Sequence, residues 1–195
     1  MGRRRPRFGL IHTLVIVALL SLAPAGPGQA QFEDLLKPAS PVEVEPTISP
    51  LEPGDERKSE TQRARVAELA RRRLGLTLGR RTSTDLDALQ RLLDERVVGP
   101  RDTWDQQALG VVLGDALVRD QGTLSWVVVD DRFGHSRALR WRDSLHVFYP
   151  VTMISKRIEL GDSVEVRGLY EQVVQAVAKL EAERASELRR QRGRR

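Results

Sequence analysis

The chain has 195 residues, 40% hydrophobic and 30% charged, with a formal net charge of +5 and no cysteine. The length suits one domain with tails. The missing cysteine excludes a disulfide scaffold, a thiolate zinc site, an iron–sulfur cluster, a cysteine nucleophile and a lipidated cysteine anchor, and the apolar share is too small for several membrane spans.

Arg3, Arg4, Arg5 and Arg7 precede an apolar run from Leu10 to Leu22, followed by small residues around Gly28-Gln29-Ala30. A positive start, an apolar middle and a small-residue cut site make a secretory signal peptide. Residues 1–30 are read as that segment, cut near Ala30, with Ala23-Pro24-Ala25 as a second cut. The apolar run is shorter than the ~20 residues of a membrane span, and Pro24 and Pro27 end it. The protein is therefore expected in the periplasm or outside the cell. Removing four arginines from +5 leaves a mature charge of +1, so the overall basicity gives no case for nucleic-acid binding.

Residues 31–60 hold Pro38, Pro41, Pro46, Pro50 and Pro53, with eight acids against three bases. Proline removes backbone donors and blocks helix, so this stretch reads as an acidic disordered linker. A single α+β domain is expected over 61–188. Val66, Leu69, Ala70 and Leu74 recur at helical spacing. Leu86, Leu89, Leu92, Leu93 and Val97 mark a second helix, stopped at Gly99-Pro100, and a third runs from Asp102 or Thr103 to about Asp120.

After Gly122 the period changes to two. Leu124 to Val129, Ala138 to Trp141 and Leu145 to Tyr149 read as three short strands, with turns at 130–134 and 142–144. Tight turns between successive strands imply an antiparallel meander. Residues 151–161 fit neither period. Leu169, Val173, Val177 and Leu180 then mark a C-terminal helix, expected to pack on the sheet, and 189–195 read as an Arg-rich disordered tail.

Asp115 shares a 60° sector of the third helix with Trp104, Ala108 and Val111, so a carboxylate falls inside an apolar stripe. An unpaired buried ion costs several kcal/mol. The readings are an ion pair with Arg140, Lys156 or Arg157, a carboxylate lining a cleft, or exposure at the stripe's edge. Lys156 and Arg157 are the preferred partners. Trp126 and Trp141, on separate strands, form either core or a ligand groove beside Arg140 and Arg142. Asp130 and Asp131 suit a polar turn better than a cation site. His135 and His146 lack zinc-protease spacing, and no nucleophile elbow, P-loop or dinucleotide motif occurs. No cofactor or metal is expected.

Four stretches also carry a resemblance. They are Gln107-Ala108-Leu109-Gly110 through Gly114-Asp115, Trp126 through Gly134, Phe148 through Glu159, and Leu169-Tyr170. Their order resembles a bacterial family known as domain of unknown function 3806, over about residues 84–180. The resemblance implies a small exported or envelope-associated α+β domain, supplies no catalytic residue, and draws attention to Asp115, Trp126, Lys156 and Arg157. The expected function is a non-enzymatic binding or protein-interaction module of the cell envelope. One alternative is an envelope enzyme using Asp115 with Asp130 or His146. The other is attachment of the Arg-rich segments to an anionic membrane surface or envelope polymer.

Overall fold

In chain order the computed structural model, which describes residues 45–194, has β1 (Thr47–Pro50), α1 (Pro53–Leu69), α2 (Thr82–Asp94), α3 (Thr103–Gln121), β2 (Leu124–Asp131), β3 (Gly134–Trp141), β4 (Val147–Phe148), α4 (Pro150–Glu159) and α5 (Val166–Arg192). The signal-peptide reading and the linker reading over 31–44 lie outside the described residues.

The architecture is α+β, with a four-stranded antiparallel sheet in the order β1-β2-β3-β4 rather than the expected three strands. The extra strand comes from the stretch read as linker. Ile48 pairs with Val129 and Pro50 with Val127. An edge strand tolerates proline, because one side of its backbone needs no ladder partner. Pro53 likewise occupies the first position of α1, where a missing N–H costs nothing. Over 47–60 the proline-rich stretch is therefore strand and helix, and the domain begins before residue 61.

The β2–β3 turn narrows to Arg132-Phe133, since Asp130 pairs with His135 and Asp131 with Gly134. Asp131 Oδ1 accepts the Phe133 N–H at 2.7 Å and shapes the turn. The third expected strand shrinks to Val147–Phe148, because Ser144 Oγ donates to the Trp141 carbonyl and accepts from the His146 N–H. Residues 150–159, which no period marked, form α4 behind Pro150. The Arg-rich end is not a loose tail through Arg192, because α5 continues through it.

The core is centred on α3. Between Gln106 and Leu117 only Gln107 and Asp115 escape full burial, the pattern of a helix enclosed on all sides. It packs against α1, α2, α4, α5 and β2. The opposite sheet face carries a small separate cluster of Val127, Val129 and Ala138.

Two glycines set how closely α3 is approached. A Cβ on Gly110 would sit 2.7 Å from the Val151 carbonyl oxygen, and one on Gly114 would sit 2.7 Å from Trp126 Cη2 and 2.9 Å from Pro150 Cγ. Gly54, in the first turn of α1, has nothing within 4 Å of that position. Gly110→Ala is expected to cost about 2–3 kcal/mol and Gly114→Ala about 1–3 kcal/mol, because overpacked cores must shift backbone or rings. Gly54→Ala should be neutral or gain about 0.5 kcal/mol through reduced unfolded-state entropy. Urea unfolding of the three variants checks the order.

Candidate functional site

The inward face of α1 is built from Asp55, Ser59, Gln62, Val66 and Leu69, all buried. Their spacing of four, three, four and three is one helical stripe, polar in its first half and apolar in its second. The polar half lies over the sheet. Arg137 of β3 is buried there, donating from Nη1 to Ser59 Oγ and from Nη2 to Gln62 Oε1, the latter at 2.7 Å. Burial lowers the Arg137 pKa, Asp55 opposes that, and Arg63 adds to it. Gln62 Nε2 is buried without a partner.

At the start of α1, His135 stands between two carboxylates. Its Nδ1 is 2.8 Å from Asp130 Oδ1, and its Nε2 is 3.1 Å from both Asp55 oxygens. The bonds to Asp55 and then Asp130 raise the His135 pKa above its usual value, outweighing slight desolvation. The acids bind opposite ring nitrogens, so they cannot converge with the ring on one ion. Among the described residues no group of three or more metal-ligating side chains is placed to hold a metal ion.

About two turns further on, α1 reaches α3. Arg63 donates from Nε to Asp115 Oδ2 at 2.6 Å and from Nη2 to Oδ1 at 2.9 Å. Trp126 Nε1 donates to the same Oδ1 at 3.0 Å. Asp115 is thus bidentately paired and hydrogen-bonded, with its side chain 31% exposed. The bonds from Asp115 raise the Arg63 pKa against the effect of partial burial. A second pair stands beside the first: buried Asp85 accepts from Arg119 Nη2 at 2.9 Å and from the Gly79 N–H at 2.9 Å. The two pairs flank a cavity of about 190 Å³ whose apolar wall is Ala67, Leu78 and Val112.

The expected residues are only partly brought together. Asp115 and Trp126 meet. The cation on Asp115 is Arg63, not Lys156 or Arg157. Lys156 lines a separate cleft beside Gln107, and Arg157 donates to the Met153 carbonyl of its own helix. Helical geometry explains the correction, since α4 meets α3 one turn earlier, at Gly110. The expected groove of Trp126, Arg140 and Trp141 does not form. Trp126 packs on Gly114. Trp141 is buried, with its Nε1 donating to Glu181. Arg140 pairs with Ser125, on the sheet face opposite the one that carries Trp126, and its Nε donates to the Ser144 carbonyl. The enzyme constellation is not assembled either. Asp130 bonds His135 four residues, about 13 Å, along β2 from Trp126, while the His146 ring lies 6.0 Å from that of Trp141.

Asp115→Asn is expected to cost about 1–2 kcal/mol, a figure held down by the pair's solvent exposure. Arg63→Met should cost less in the Asp115→Asn background than in the native chain. A loss below ~0.5 kcal/mol for Asp115→Asn by denaturant unfolding would remove the pair from the list of structural supports.

The His135 contacts predict a pH dependence of definite sign. The folded-state pKa is raised, so the clamp's stabilisation is complete below the unfolded imidazole value of about 6.5 and is lost as pH rises through the folded value. The melting-temperature difference between the native chain and His135→Gln should be largest near about pH 5.5 and shrink towards about pH 9. A difference that grows with pH would contradict the geometry.

A family described as "Domain of unknown function (DUF3806)" matches residues 85–170. Comparison with curated proteins gives no match. A crystal structure of a protein from Bacteroides thetaiotaomicron VPI-5482, solved at 1.50 Å resolution, is similar in fold with a TM-score of 0.62 and 13% sequence identity. The match covers 68% of this chain and 48% of that one, so the chain spans about half the length of that protein. The family segment begins at Asp85 and ends at Tyr170, whose hydroxyl donates to Asp120 and whose pKa burial and Asp120 push up to about 12. It holds Asp115 and Trp126, whereas Arg63 and Asp55 precede it. From Asp85 to Tyr170 the chain is thus similar to the DUF3806 family.

Proposed function

We propose that this chain is an exported cell-envelope protein whose domain works as a non-enzymatic binding or protein-interaction module. The observation that carries the reading is the bracing of the central acids. Asp115 is held by Arg63 and Trp126, and Asp85 by Arg119 and the Gly79 N–H. Carboxylates tied to cations and N–H donors fix helices in place. General acid–base work favours a group within reach of a substrate proton and with a pKa near the working pH.

Export rests on the arginine-led apolar start and the small residues before Ala30. Among the described residues no helix is long and apolar enough to cross a membrane.

Residues 1–30 fused to a reporter enzyme that works only outside the cytoplasm should give activity. Mass spectrometry of the full chain from the same cells should show a mature start after Ala30 or Ala25. An inactive fusion together with an uncut chain would overturn the export half of the proposal.

A further inference from the structure

We propose that the cleft between the start of α3 and the outer face of α4 binds a zwitterionic dipeptide, its carboxylate on Lys156 and its free amine on Glu159. The inference rests on the binding-module reading and names the site and the ligand class.

The cleft has a volume of about 390 Å³, and Gln106, Gln107, Thr152, Ser155, Lys156 and Glu159 line it. That volume falls in the usual range for a small-ligand site. Its walls do not slide, because Gly110 brings the Pro150–Val151 backbone directly onto α3 one turn below. Gln106 is 2% exposed, and its amide nitrogen donates to the Gly99 carbonyl at 2.8 Å. Its Oε1 is thereby held in a fixed position at the cleft. Ser155 is also buried, its hydroxyl turned back to the Thr152 carbonyl.

Lys156 and Glu159 bring two opposite charges to the cleft. Several junctions between elements are closed by ion pairs: Arg63–Asp115, Arg65–Asp105, Arg119–Asp85 and Arg142–Glu181. Among the described residues neither Lys156 nor Glu159 has an oppositely charged group within 4.0 Å, although they lie three apart on one helix. Such neighbours have Cβ atoms about 5–6 Å apart, a separation that the ammonium and carboxylate of one small zwitterion can bridge. Amide and hydroxyl groups beside them suit a peptide bond. No aromatic ring lines the cleft, so a stacked sugar or base has no platform.

The probes are alanyl-alanine, its N-acetyl derivative and its C-terminal amide, titrated into the purified full-length protein while the side-chain amide NMR signals of Gln106 and Gln107 are followed. Alanyl-alanine should shift both signals saturably in the millimolar range, and blocking either terminus should weaken binding about fivefold, the scale of one exposed ion pair. Lys156→Met should bind the dipeptide and its amide equally, and Glu159→Gln should bind the dipeptide and its N-acetyl form equally. Both changes are on the surface and should leave the melting temperature unchanged. Absence of saturable shifts, or equal binding of all three probes by the native chain, would overturn the proposal. If the protein is retained on immobilised envelope extract equally with and without Lys156→Met, the cleft proposal fails while the module reading stands.

Discussion

Gly114 leaves room for the edge of the Trp126 indole, and Gly110 leaves room for the Pro150–Val151 backbone. Much of the domain follows from these two contacts on one helix. With Trp126 laid on α3, its N–H meets Asp115 one residue beyond the glycine that admits it. With Pro150 laid on α3, α4 runs back along the same helix and leaves a polar cleft where the two diverge. A methyl group at either position would lift the sheet or α4 away, and the hydrogen bond and the cleft would go with it. Close packing makes such small volumes count, since the interior has no slack to absorb them.

The second organising feature is the polar underside of α1. Ordinary surface helices bury an apolar stripe. Here the first half of the stripe is Asp55, Ser59 and Gln62, laid over His135 and Arg137, and only Val66 and Leu69 are oily. A guanidinium buried among neutral partners, beside an orphaned amide nitrogen, gives less than apolar packing would. The helix is held in addition by ion pairs along its flank, Arg63 to Asp115 and Arg65 to Asp105. Both anions belong to the family segment, so charge joins Val66, Leu69 and the β1 ladder in fastening the part of the chain before Asp85 to it.

That fastening explains where sequence reasoning reached and where it stopped. The apolar steps of α2 and α5 were legible because Leu86, Leu89, Leu92, Leu169, Val173 and Val177 repeat at helical spacing and are all buried. The β2–β3 hairpin was legible from its change of period. The start of α1 was not, because a stripe of Asp, Ser and Gln has the period of a buried face without its hydrophobicity. Strand β1 was hidden by prolines, which an edge position accommodates. Asp115 stood out as a carboxylate among apolar neighbours. The preferred partners, Lys156 and Arg157, gave way to Arg63, because spacing along the chain does not say which of several arginine- and lysine-bearing elements packs on α3.

The amino acids alone thus determined that an antiparallel hairpin would be combined with amphipathic helices before and after it, and that Asp115 would be a carboxylate among apolar neighbours. Periodicity decides these things through burial, which each short segment expresses by itself. Only the tertiary structure decided that Arg63 pairs with Asp115, that His135 is held by Asp55 and Asp130, and that Lys156 and Glu159 face a common cleft. Those outcomes depend on which surfaces meet at a distance of tens of residues. The meeting is governed by close-packed shape, and no local pattern in the chain encodes it.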